Sequence, residues 1–252
     1  MLQPRIIPVL LLKGKGLVKG RKFKRHKYIG DPINTIKLFN DMQADELIFL
    51  DINATTEKRI YLKEFIQSIS DNCLMPFTIG GGIKTIDHVH DMLENGAEKV
   101  CFNSSIIENP SLITDSAKTF GSQSVVASID FKKNWLGKYK VYINSGRKIT
   151  NKDPIDFSKE VVDLGAGEIL INSIDRDGMK DGYDNNLIAK VSNSVDVPVI
   201  ASGGAGSIED LSKGIKIGKA TAVAAGTLFV YYGRRDAVLI NYPSKKERQK
   251  LL

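Results

Sequence analysis

"FTIGGGI" (Phe77–Ile83) and "VIASGGA" (Val199–Ala205) are one device used twice, a short apolar run that ends in a glycine turn. The two stretches lie 122 residues apart (77 to 199). So do "ELIFLDI" and "EILINSI" (46 to 168), and "VCFNSSI" and "AVAAGTL" (100 to 222). Self-similarity of several motifs at one fixed offset is the signature of a repeated architecture. The first strand of each half joins the pattern with a three-residue slip, since "IIPVLLLK" from Ile6 aligns with "VVASIDFK" from Val125. That alignment sets Leu11 against Asp130.

Eight strand-like runs can be read outward from these pairs: 5–12, 46–52, 76–79, 99–103, 124–130, 168–174, 197–201 and 220–225. Several are apolar almost without a gap, which is how parallel strands covered on both faces read. Helix-like segments separate them. The pattern predicts a (β/α)8 barrel built from two (βα)4 halves, with residues 1–252 forming one domain. Asp31-Pro32 reads as an N-cap followed by proline in the first turn, and "NPSL" from Asn109 as similar work. The insert "KKNWLGKYKVYINSGRK" (Lys132–Lys148) reads as a small hairpin on a loop.

Composition narrows the function classes. The chain has 252 residues, 42% hydrophobic and 26% charged, as expected for one large core. It has no eighteen-residue apolar run and no signal-peptide pattern, so a cytoplasmic protein without a membrane span is expected. Cys73 and Cys101 lack CxxC or Cys/His companions and read as small buried hydrophobes. His26, His88 and His90 show no ligand spacing, and neighbours at i and i+2 on a helix do not share a face. No metal and no cofactor is expected. The net charge of +7 gathers in "KGRKFKRHK" (Lys19–Lys27) and "SKKERQK" (Ser244–Lys250). A solvated loop and a frayed end account for these clusters, and a mobile basic loop over a multiply phosphorylated small substrate accounts for the first at least as well. Nucleic acid is not expected, because aromatic interleaving and a recognised module are missing.

Glycine turns close the third and seventh strands (Gly80–Gly82; Gly203, Gly204 and Gly206), and small-residue turns close the fourth and eighth (Asn103–Ser105; Ala225–Thr227). Glycine lets backbone N–H groups approach an anion, and a following helix presents its positive end. Paired sets at one offset predict two phosphate sites facing each other across one mouth, suited to a long bisphosphate.

The stretches "RIIPVL", "GDP", "DELIFLDI", "PFTIGGGI", "ENPSLIT", "FGSQSVV", "GAGEILINSIDRDGMKDGYD" and "PVIASGGAG" together resemble the cyclase subunit of imidazole glycerol phosphate synthase, in order up to about Phe229. The resemblance implies a heterodimer with a glutaminase subunit of the HisH type. Glutaminase-derived ammonia would cross the barrel to a ribulosylamine bisphosphate, giving imidazole glycerol phosphate and an aminoimidazole carboxamide ribotide. It places phosphate contacts at Gly82, Asn103 and Ser104 on one side and at Gly204, Ala225 and Gly226 on the other. Lys19 becomes the loop lysine near substrate, and Asp51, Asn172, Asp177 and Ser202 belong to the substrate mouth. Asp130 becomes one of two acid/base carboxylates.

The second carboxylate falls on Leu11, which cannot move a proton. Losing one such group typically removes a factor of roughly 10²–10⁴. Asp51 is the candidate replacement. At the opposite face the resemblance implies a charged ring around the ammonia entrance, Arg5, Glu46, Lys99 and Glu168, with Glu98 beside it on the docking surface. A second departure is the C-terminal stretch "YYGRRDAVLINYPSKKERQKLL", whose apolar run is stopped by Pro243. This is similar to a divergent branch in pathways for amidinated surface sugars, where the barrel supplies ammonia to a separate sugar amidotransferase. Three readings stand: an ammonia-supplying subunit with degraded cyclase activity, a working cyclase of histidine biosynthesis, and a non-catalytic phosphate-sugar scaffold.

Overall fold

The computed structural model describes residues 3–61, 63–233, 235–249 and 251. Both ends of the predicted 1–252 domain, and Arg234 and Lys250 of the C-terminal stretch, lie outside the described residues. The eight expected strands are all present: β1 (Arg5–Lys13), β2 (Leu47–Asp51), β3 (Phe77–Gly80), β4 (Lys99–Phe102), β5 (Val125–Lys133), β6 (Glu168–Ser173), β7 (Val199–Ser202) and β8 (Ala222–Ala225). Each pairs in parallel with the next, and β1 closes the ring. Its residues 5–8 pair with β8 and its residues 9–12 with β2. That offset along one strand is the stagger that lets a tilted sheet close on itself.

Alternation along β1 explains its unbroken apolar run. Ile7 and Val9 face the barrel interior, where they pack with Ile48, Val126, Leu170 and Ile200. Ile6, Leu10 and Leu12 face outward into the larger core beneath the helices. Both faces are dry, so both must be apolar.

Helices α1 (Pro32–Asp41), α2 (Lys63–Ser70), α3 (Ile86–Glu94), α4 (Ser111–Phe120), α5 (Pro154–Asp163), α6 (Asn185–Ser192) and α7 (Ile208–Lys216) cover the outside. The boundaries of α1, α2 and α3 recur at α5, α6 and α7 with the 122-residue offset, to the residue. The Asp31 carboxylate accepts from the Asn34 N–H and that of Asp153 from the Ile155 N–H, each before a proline. Asn109 differs from expectation. Its side chain accepts the Ser111 hydroxyl at 2.9 Å, and α4 begins without a side-chain cap.

The basic stretch after β1 is an antiparallel hairpin, Gly16–Arg21 with Lys24–Gly30, that continues from β1 itself. This corrects the irregular loop expected there, since the segment is paired as a ladder. The Lys132–Lys148 insert is a hairpin as expected, with Tyr139–Ile143 paired to β5. The C-terminal departure is also visible. After a single helical turn (Thr227–Val230), the described chain forms a two-residue ladder and an extended strap before a short helix, Lys245–Gln249. Tyr242 anchors the strap by donating to the Ile6 carbonyl at 2.8 Å and accepting from the Asp45 N–H at 3.1 Å. Arg248 reaches the Asp45 carboxylate at 3.0 Å. Cys101 is buried as expected, while Cys73 is only half-buried and donates to the Met75 carbonyl.

Candidate active site at the strand ends

A cavity of about 730 Å³ opens at the C-terminal ends of the strands. The structure brings every mouth residue read from the sequence to its wall: Leu11, Lys19, Asp51, Asp130, Asn172, Asp177 and Ser202, with both phosphate sets.

Asp130 stands at the end of the first half of β5, where the strand leaves the barrel as a hairpin. Its carboxylate accepts from the Asn172 amide at 2.9 Å and from the Asn103 amide at 3.2 Å. Burial pushes this carboxyl up to about 7, against the pull of the Asn172 hydrogen bond and with a further push from Asp177. A group of that pKa can both give and take a proton near neutrality. Lys19 is buried and its ammonium lies 2.6 Å from Asp177. His26, on the same hairpin, is held below the ordinary imidazole value by burial and by the nearby Lys19 charge.

Asp51 is built differently from what its mouth position suggested. One oxygen accepts the N–H groups of Asn53 and Ala54 at 2.9 and 3.0 Å, and Arg59 bridges both oxygens. The carboxylate is fully buried and committed to these partners. It pins the β2 loop and is poorly placed to serve as the second acid/base carboxylate expected from the sequence.

Each glycine turn is tight for a structural reason of its own. Gly81, Gly82, Gly203 and Gly204 have φ of 124°, 75°, 82° and 126°. A Cβ on Gly82 would lie 2.1 Å from the Arg59 carbonyl oxygen, and one on Gly204 would lie 2.1 Å from that of Gly182. The turns therefore need glycine with or without an anion. Asn103 and Ser104 stand beside the first turn, and the Ser104 hydroxyl accepts the Asn144 N–H at 2.9 Å. Ala225 and Gly226 stand beside the second. Gly226 leaves room for the Lys19 side chain, whose Cε would be 3.0 Å from an added Cβ.

At the N-terminal end the four charges expected there form a closed ring. Arg5 bonds Glu46 at 2.5 Å and also Glu168, while Lys99 bonds Glu46 at 3.1 Å and Glu168 at 2.8 Å. The two acids are buried and the two bases partly open to solvent. Thr78, from inside the barrel, donates to Glu46 at 3.1 Å. Glu98 is exposed beside the ring and accepts the Phe77 N–H at 2.7 Å.

Residues 5–236 match the family described as histidine biosynthesis protein. The chain belongs to this family. It is 46% identical over 252 residues to a Leptospira interrogans protein provisionally named imidazole glycerol phosphate synthase subunit HisF, covering 100% of this chain and 99% of that one. A Pseudomonas aeruginosa protein provisionally named subunit hisF2 of the same synthase is 46% identical over 243 residues, 96% and 97% of the two chains. The Alkaliphilus metalliredigens subunit HisF is 44% identical over 231 residues, 92% of each chain.

Within this histidine biosynthesis family barrel, sequence reasoning missed three contributors to the site. Arg59 follows Lys58, whose left-handed φ of 52° turns the chain back toward Asp51. The tip of the second hairpin, Asn144–Arg147, is pinned to the mouth: Asn144 N–H on Ser104, Ser145 hydroxyl on the Ile52 carbonyl at 2.9 Å. Phe23 of the first hairpin meets this tip at Gly146, where an added Cβ would lie 3.1 Å from its ring. The two hairpins thus touch across the opening. A glycine flanked by Asn-Ser marks a turn in sequence, but nothing local indicates where that turn docks.

Proposed function

We propose that this chain is the barrel subunit of a glutamine-dependent ammonia-channelling complex, with its own cyclase chemistry degraded. The observation that carries the reading is Leu11. It occupies the strand-end position that in the second half holds Asp130, the carboxyl poised near 7. Ring closure that moves protons at two positions needs two such groups, and Asp51 is tied to Arg59. The names of the relatives support a synthase subunit, and the sequence resemblance implies a glutaminase partner, here docked over Arg5, Glu46, Glu98, Lys99 and Glu168. A ring of paired charges followed by Ile7, Ile48 and Leu170 suits a route for neutral ammonia, since an apolar wall disfavours ammonium. With Leu11 and Leu50 continuing that wall to the mouth, ammonia would leave toward a separate acceptor. The acceptor class we favour is an acetamido sugar of a surface polysaccharide, converted by its own amidotransferase.

A second reading, a working cyclase in histidine biosynthesis, is favoured by the intact Asp130–Asn172 and Lys19–Asp177 contacts. Turnover of the ribulosylamine bisphosphate with excess ammonium salt separates the two, because it bypasses the partner. The expected result is turnover at least 100-fold below an ordinary family cyclase, with a rise of tenfold or more in Leu11→Asp. Ordinary turnover in the parent sinks the degraded-cyclase reading.

A further inference from the structure

The two glycine turns, read above as phosphate sites, leave most of the charge at the mouth unexplained. Lys13, Lys22, Lys24, Arg25, Lys132 and Arg147 also line the cavity. None of them has a carboxylate partner among the described residues, and the Lys132 ammonium lies over the Tyr142 ring at 6.0 Å. The acids that do line the mouth are spoken for. Asp177 pairs with Lys19, Asp51 pairs with Arg59, and Asp130 is buried and bonded to the Asn103 and Asn172 amides, its carboxyl raised to about 7.

These cations are not on a free arm. The Lys22 N–H donates to the Asp177 carbonyl at 2.8 Å, Arg21 bonds Asp236 at 2.8 Å, and Phe23 seats against Gly146. Lys22, Phe23 and Arg25 have φ of 51°, 59° and 54°, left-handed backbone that side-chain-bearing residues avoid. The ladder and the docking contacts hold them there. His26 is flanked by Lys13, Lys19 and Arg147, whose charges add to burial in lowering its pKa. So the two hairpins meet over the mouth and carry a fixed positive field into it.

Two phosphate monoesters bring about −3 to −4 in total. Lys19, Lys84 beside the first turn and the backbone N–H groups of both turns already face that charge. Six further cations over one opening sum to a positive potential that favours an additional negative group, and a concave mouth concentrates the field. We infer that the ligand of this barrel is a small molecule with a third anionic group, a carboxylate or phosphate between its two phosphate ends, held by Lys24 and Arg25 of the first hairpin and Arg147 of the second. This goes beyond the proposed function and rests on the two turns being phosphate sites.

The test is calorimetric titration, at low and moderate salt, with decane-1,10-diol bisphosphate and with its 5-carboxylate. The two probes differ by one negative group. The parent is expected to bind the carboxylate probe at least tenfold more tightly. In Lys24→Gln/Arg147→Gln that preference should fall below threefold, with the carboxylate probe losing more affinity than the plain bisphosphate. Both substituted side chains are exposed, and unchanged unfolding midpoints check that the fold is kept. Equal affinities in the parent, or equal losses for both probes in the variant, would overturn the inference. Hairpin-dependent binding of the carboxylate probe without binding of the plain one would leave the third site standing and remove the phosphate turns. Binding of neither probe would remove both. Hairpin-dependent binding of a poly-glutamate peptide, with no preference between the small probes, would replace the small molecule by an acidic protein segment.

Discussion

At the end of β5, Asp130 sits among amides from Asn103 and Asn172, and its proton is exchangeable near neutrality. At the matching point of β1, Leu11 pairs with Leu50 and packs on the inner core. The difference is confined to side chains. Around it the two halves keep the boundaries of three helices, an aspartate-proline start to the first of them, and a glycine turn after the third strand. A duplicated barrel can therefore lose chemistry at one strand end without loss of fold, because strand ends at the mouth carry function while the layers below carry stability. The N-terminal ring shows the reverse case. There each half contributes one buried acid, Glu46 and Glu168, and both acids share the same two bases. Removing either acid would strand a charge, so that end is constrained across the halves.

The equivalence of the halves can be broken most severely at the turns. An added Cβ at Gly82 or at Gly204 meets a carbonyl oxygen at 2.1 Å, and both residues have positive φ. Backbone, unlike a flexible side chain, cannot step aside. Gly82→Ala and Gly204→Ala are each expected to cost on the order of 3–4 kcal/mol. Urea unfolding of the two variants checks this. A cost below about 1 kcal/mol in one of them would show that its turn yields and that the halves differ in rigidity as well as chemistry.

The next effect separates the halves by pH. Asp130 binds its proton more tightly folded, at about 7, than in the unfolded chain near 3.9. Between those values the folded state holds more protons than the unfolded one, so stability falls as pH rises. The contribution is fully present below about pH 4 and is lost as pH passes through 7. From pH 5 to pH 8 the loss amounts to about 2–3 kcal/mol. In Asp130→Asn this part of the slope should vanish, which urea titrations at the two pH values would show. An unchanged slope would mean that solvent reaches Asp130 and that its carboxyl titrates as an ordinary one.

How much of this was legible beforehand follows from the range of the interactions. The strands, the duplication and the Leu11–Asp130 mismatch are properties of pattern and spacing, and the sequence carries them locally. The first hairpin was read as a loop because its strands are dense in Lys and Arg. Its ladder is set by continuity with β1, which charge counting does not see. Asp51 looked available because it ends a strand at the mouth. The arginine that occupies it stands eight residues on, behind a left-handed turn at a lysine, a residue type with no special liking for that conformation. Pro243 correctly signalled that no long closing helix forms among the described residues. What replaces that helix, Tyr242 bonded to Ile6 across 236 residues of sequence, is a tertiary contact with no local mark.

The smallest effect tests the sameness of the halves where they look most alike. Asp31 and Asp153 each cap a ten-residue helix that begins with proline, and they stand at equivalent positions. Their bonds differ in one detail: Asp31 accepts from the third helical N–H at 2.9 Å, Asp153 from the second at 2.8 Å. Either bond satisfies one unpaired donor, and either carboxylate meets the positive end of its helix. Loss of the cap in Asp31→Ala or Asp153→Ala is expected to cost about 1 kcal/mol. The proline that presets the first turn remains in both variants, which keeps the loss from growing further. The caps lie in different halves with no shared partner, so the double variant should cost the sum, within about 0.5 kcal/mol. Urea unfolding midpoints for the three variants give the comparison. Costs that differ by more than about 1 kcal/mol would mean that one half tolerates fraying at its first helix, and the halves would then be unequal in stability as well as at the mouth.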